Sequence, residues 1–158
     1  MIPIFLLLHN VEEALTIPSY LPRVAASLPV RLPADVVPIF FGALAVVTAI
    51  PFIVAVWAFV RPESRAALWS LLLIQTVVLV NVFSHAAVAA LVLHGYAPGV
   101  LTALAINLPF SIYLLRRAVR GNWLSGRALA LLLPSALVVH GPILVGLMIL
   151  AGIVVRRG

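Results

Sequence analysis

Apolar residues run along this chain in long blocks, showing neither the two-residue alternation of a half-buried strand nor the narrow stripe of a soluble amphipathic helix. Four blocks are long enough to cross a bilayer, which takes about 20 residues of helix: residues 39–60, 66–93, 99–116 and 128–155, each bounded by Pro, Gly or Arg. Residues 3–21 form a fifth segment, shorter and less apolar, with the string HNVEE at its centre. We read it as a crossing shielded by the other helices, the alternative being a half-helix that enters the membrane. Residues 22–38 hold Pro22, Pro29, Pro33 and Pro38 with Arg23, Arg31 and Asp35, a helix-breaking composition that predicts an extended surface loop. The expected fold is all-α: one polytopic transmembrane bundle over residues 1–158, with about five helices and a short first one. Pro51, Pro109 and Pro134 are expected to kink their helices. No internal repeat is visible.

Composition makes water an untenable main solvent. The 158 residues are 65% hydrophobic and 9% charged, against about 25% charged in soluble domains, and the mean hydropathy is +1.25. There is no cysteine, which removes thiolate chemistry and disulfides. All ten basic residues are arginine and lie mainly between the apolar blocks, a placement that suits topology signals and contacts with membrane lipids and excludes a nucleic-acid face. Arg61, Arg65, Arg116, Arg117, Arg120 and Arg127, with all three tryptophans, fall on one side; Arg23, Arg31, Arg156 and Arg157 fall on the other. The first side is therefore read as cytoplasmic, although the terminal Arg pair runs against that bias. The opening MIPIFLLLHN lacks the basic region of a signal peptide and is read as part of the mature protein.

Few ionisable groups interrupt the apolar blocks, and such groups cost a few kcal/mol each at mid-membrane, so they usually face a protein interior. They are His9, Glu12 and Glu13 in the first segment, His85 in the third and His140 in the fifth, joined by Asn81, Ser84 and Asn107. Three- and four-residue spacings put Glu12 and Glu13 on either side of the direction of His9, and put Asn81 and His85 on one face with Ser84 beside them. At about 1.5 Å rise per residue, His9, Glu12, Asn81, His85, Asn107 and His140 fall within a slab roughly 10 Å deep, between about 12 and 22 Å from the outer boundary. The polar residues therefore have the depth to meet in one pocket. The remaining acids, Asp35 and Glu63, sit in loops and are expected to be solvated.

HNVEE is an H-x-x-E-E string. Together with Asn81-x-x-Ser84-His85 and the Tyr96-x-Pro98-Gly99 turn leading to Thr102, it resembles the small bacterial membrane family named for its HXXEE motif. The resemblance covers essentially the whole chain. It implies a multi-helix protein of a bacterial inner (plasma) membrane and marks His9, Glu12 and Glu13, but it supplies no reaction.

Two chemistries remain open from the residues. In one, His9, Glu13 and His85 ligate a divalent zinc or iron ion while the other glutamate serves as base toward a bound water. In the other, no metal is present and a glutamate exchanges protons with histidine, as acid/base isomerisation or cyclisation requires. Either makes an enzyme acting on a lipophilic isoprenoid-like, sterol-like or acyl molecule, with Glu12, Glu13, His9 and His85 catalytic and Asn81, Ser84, Asn107 and His140 lining the pocket. A proton-linked carrier or small-molecule-binding protein is the non-enzymatic alternative, and a subunit stabilising a larger complex a third; the chain could also form a homo-oligomer. The bland readings are a first helix at the interface with its carboxylates paired to Arg23 or Arg31, an Asn81–His85 pair acting as interhelical glue, and His140 bonding a carbonyl freed by Pro142. His94 reads as an interfacial turn residue. No phosphate loop, serine elbow or dinucleotide fingerprint is present.

Overall fold

The structure, a computed structural model, describes residues 1–27 and 33–156, and among these every regular element is helical. There are five helices: α1 (Ile2–Ser27), α2 (Val36–Val60), α3 (Arg65–Val92), α4 (Val100–Arg120) and α5 (Gly126–Val155). The last four are long and apolar enough to cross a membrane. Large apolar side chains such as Phe59, Leu91, Leu131 and Val154 point outward, fully open to the surroundings. In water that surface would drive aggregation, whereas hydrocarbon accepts it without cost, so the chain is an integral membrane protein.

The first helix corrects the sequence reading. It is not short: it runs 26 residues through Pro18 and Pro22 and takes up the first part of the expected loop. Proline removes a backbone donor, so the Ala14 and Pro18 carbonyls lose their helical partners, while the Thr16 and Ser19 hydroxyls fold back onto the Glu12 and Thr16 carbonyls at 2.7 and 2.8 Å. The other end of the expected loop is also helical, since α2 begins at Val36, ahead of Pro38. Pro29, Arg31 and Arg157 lie outside the described residues.

Packing is held by small residues and by one apolar cluster. Gly152 of α5 meets Ile39 of α2, where an added Cβ would lie 3.2 Å from Ile39 Cδ1, and Gly42 of α2 faces Ala151 of α5. Close approach of this kind is how membrane helices gain dispersion energy when burial from water is not available. Leu72, Leu115, Ala118, Leu124 and Leu132 knit α3, α4 and α5 together near the arginine-rich end. At the opposite end, Arg156 bonds both carboxylate oxygens of Asp35, at 2.7 and 3.2 Å. Asp35 stays at the surface, as expected, and gains a partner there: the guanidinium links α5 to the start of α2 and holds the Asp35 carboxyl below its usual range.

Three single π-helical turns interrupt the bundle, at Val88–Val92 in α3, Ala103–Asn107 in α4 and Val139–Ile143 in α5. One follows His85, one follows Thr102 and one contains His140. Such wide turns tend to accompany functional positions because they re-aim the side chains around them.

Candidate functional site

One turn of α1 distributes the HNVEE string among three neighbouring helices. Asn10 turns to α2 and donates to the Thr48 hydroxyl at 2.6 Å. Val11 faces outward. Glu12 reaches the start of α4, while His9 and Glu13, four residues apart, address His85 of α3.

His9 is fully buried. Its Nδ1 lies 3.0 Å from Thr102 Oγ1 and its Nε2 lies 2.8 Å from Asn81 Nδ2. The Thr102 hydroxyl spends its single hydrogen on Glu12 Oε2 at 2.5 Å, so its oxygen accepts from His9, which places the imidazole proton on Nδ1. The lone pair is then on Nε2, the nitrogen that faces the rest of the cluster. Glu13 Oε2 is 3.8 Å from that nitrogen, and Glu13 Oε1 is 3.3 Å from His85 Nε2. The two imidazole rings meet edge to face with centroids 4.7 Å apart. One ligand atom from each of His9, Glu13 and His85 lies within 4.8 Å of the others, so the three could hold a metal ion.

The second glutamate does something different. Glu12 accepts from the Tyr96 hydroxyl at 2.6 Å, from the Leu101 and Thr102 backbone amides at 3.2 and 2.8 Å, and from the Thr102 hydroxyl. These are the exposed first amides of α4, whose own N-cap position is Gly99 and offers no side chain. Glu12 is thus the N-cap of α4 supplied from another helix, with its charge at the favourable end of the helix dipole. Burial and the bond to this carboxylate raise the Tyr96 hydroxyl above its ordinary value, which keeps it a donor. Replacing Glu12 by Gln removes the charge from this cap and should lower stability by about 1–2 kcal/mol, whereas Glu13→Gln should leave the melting temperature close to that of the parent protein when both are measured in the presence of a chelator. Thermal unfolding in detergent compares them.

Gly99 closes the cluster. Its φ of +80° is open to glycine at no cost. A Cβ there would lie 2.7 Å from His9 Cε1, 2.9 Å from Glu13 Cγ and 2.9 Å from His85 Cε1, so its hydrogen-only side is what lets the turn sit on all three residues.

Of the residues singled out in the sequence, His9, Glu13, Asn81 and His85 come together directly, and Glu12 reaches His9 through the Thr102 hydroxyl. Ser84 and His140 form a neighbouring pair, Oγ to Nε2 at 3.1 Å, so His140 bonds Ser84 and not a carbonyl freed by Pro142. Asn107 is buried with its Nδ2 lacking a hydrogen-bond partner among the described residues. His94 is an exposed turn residue at φ 48°, as expected. Neither Glu12 nor Glu13 pairs with Arg23, which lies over the Tyr20 ring. Asn10 and Thr48 were not anticipated, and Tyr96, Gly99 and Thr102 entered only as a turn and through the family resemblance.

The chain matches, over residues 1–114, the family described as "Protein of unknown function with HXXEE motif". It belongs to that family. The match ends within α4, short of the whole-chain coverage expected, and it contains every residue of the triad and of the Glu12 cap. The chain is also 31% identical over 103 residues to the uncharacterized protein YrkK of Bacillus subtilis (strain 168), an alignment that covers 65% of this chain and 62% of that protein. It therefore spans less than two thirds of that relative's length. No solved structure matches the chain.

Proposed function

We propose that this HXXEE protein is a membrane-embedded, metal-dependent hydrolase of a lipophilic small molecule, with a divalent ion held by His9, Glu13 and His85. The observation that carries the reading is the convergence of two imidazoles and one carboxylate, with ligand atoms within 4.8 Å, inside a bundle of apolar helices. Donors about 2.0–2.1 Å from a tetrahedral zinc stand roughly 3.3 Å apart. The Glu13–His85 spacing is 3.3 Å and the Glu13–His9 spacing 3.8 Å, through different carboxylate oxygens, and the trio as a whole lies within 4.8 Å, so its donors would have to draw together around an ion. Two histidines and a glutamate also leave a coordination position open, as catalytic zinc sites do and structural ones do not.

The surrounding residues suit that use. The Glu12–Thr102–His9 series holds the ring in the tautomer that presents Nε2, the outer-shell arrangement that metal-binding histidines generally have. Asn81 would give up its bond to Nε2 and become free to hold a polar group of the substrate. A bound divalent ion would polarise a substrate carbonyl and bring the pKa of a water near neutrality. Glu12 is committed to the α4 cap, so the base assigned to it from the sequence is not needed in this scheme. The His140–Ser84 pair, next along α3, offers a proton donor for the leaving group. The substrate would be an acyl or isoprenoid-like ester that reaches the site from the bilayer. The bacterial origin of the relative supports placing the chain in a bacterial plasma membrane.

The competing reading, a proton-linked carrier, draws on the same Glu13–His85 contact without a metal. Metal analysis of freshly purified protein separates the two, with hydrolysis of long-chain esters in mixed micelles as the second readout. About one zinc or iron per chain is expected, with ester hydrolysis that a chelator removes and the metal restores. A chain that holds no metal and takes none up refutes the metal reading and leaves the carrier.

A further inference from the structure

A second site lies at the opposite end of α4, where the helix carries Arg116, Arg117 and Arg120. Positions 109, 112, 113, 116, 117 and 120 fall on one face at three- and four-residue spacing, so the face is apolar along Pro109 and Ile112 and basic beyond Tyr113. This face lines a groove of about 770 Å³, closed on its far side by Trp123. The turn after α4 puts Trp123 there: Gly121 N–H bonds the Arg117 carbonyl at 2.8 Å, Asn122 takes φ 56°, and Trp123 N–H returns to the Ala118 carbonyl at 2.9 Å. Gly121 permits the fold-back, since a Cβ would meet Trp123 Nε1 at 2.9 Å.

The groove is partly organised already. The Arg117 guanidinium donates to the Tyr113 hydroxyl at 3.2 Å and lies 5.9 Å from the centre of the Trp123 ring. Among the described residues, no carboxylate pairs with Arg116, Arg117 or Arg120. Arg116, Arg117, Arg120 and Trp123 therefore line one concavity at the level where the apolar helix gives way to charge. A topology signal needs only the positive charges, not a groove or a Trp folded over it.

We propose that this groove seats the phosphate of an anionic phospholipid, with its acyl chain lying along Pro109 and Ile112. The guanidinium fork matches phosphate oxygens in two-point contact, and basic pockets at the ends of membrane helices take such headgroups. The site is independent of the proposed hydrolase centre, being some 14 residues, or about 21 Å, along α4 from Thr102.

The test uses the full chain in detergent, with thermal unfolding and native mass spectrometry against added phosphatidylglycerol, phosphatidylcholine or inorganic phosphate. Phosphatidylglycerol should raise the unfolding midpoint and remain bound; phosphatidylcholine and inorganic phosphate at equal concentration should not. Arg116→Gln combined with Arg120→Gln should weaken phosphatidylglycerol binding roughly tenfold or more, with Arg117 kept for its contacts to Tyr113 and Trp123. If the double variant does not fold, the single variants and the loss of the lipid response on raising salt take its place. Equal response to phosphatidylcholine, a response reproduced by phosphate alone, or undiminished binding in the variants overturns the proposal.

Discussion

His9→Ala and His85→Ala should each purify without the divalent ion proposed for the parent chain, and with no ester hydrolysis. Each removes one of three ligands, and two remaining donors do not hold zinc against the chelating power of ordinary buffers. The loss should exceed the roughly 10- to 100-fold typical of deleting an outer-shell partner. Thr102→Val supplies that milder comparison, because it cuts the series between Glu12 and His9 while leaving all three ligands in place. A graded order of metal content, parent above Thr102→Val above His9→Ala, is the expected result by elemental analysis. Equal metal in all three would mean that the ion, if any, sits elsewhere.

Gly99→Ala should be as damaging to the site as loss of a ligand, although Gly99 contributes no donor atom. A left-handed backbone costs a non-glycine residue about 1–2 kcal/mol. The new methyl would also lie under 3.0 Å from His9, Glu13 and His85 at once, and three rings or chains cannot all retreat within a packed interior. A lowered melting temperature together with lost metal is expected. Gly95→Ala in the same turn is the control: its φ is not positive, and the nearest atom to an added Cβ is the Leu93 carbonyl at 3.8 Å. If Gly99→Ala matches Gly95→Ala in both measurements, the turn does not rest on the site as described.

Much of this architecture could be read from the residues because the bilayer, not the detail of packing, selects the helices. Any run of about 20 apolar residues has to satisfy its backbone internally, and helix is the way to do so. The first helix was harder. Pro18 and Pro22 are correctly read as missing donors, but the helix runs through both of them, which no punctuation rule contains. The convergence of His9, Glu13 and His85 followed from spacing and depth, whereas depth alone, good to about two helical turns, could not separate Asn107 from residues that touch the triad. The two glutamates were indistinguishable in sequence: each lies within a turn of His9. What divides them is where the Tyr96–Thr102 turn comes down, a tertiary fact. Gly99 was legible as a turn glycine, but nothing in a single sequence says that the turn lands on imidazole rings.

The wide turn at Val139–Ile143 brings His140 to Ser84, yet none of the three ligand residues belongs to α5. Of the four long apolar helices, α5 also has the smallest share of its span inside the bundle. In the proposed scheme an ion would thus be held without any donor from the last helix, which supplies only His140. A chimera that exchanged this last stave for an unrelated one would be expected to keep its ion and to lose the group that faces Ser84.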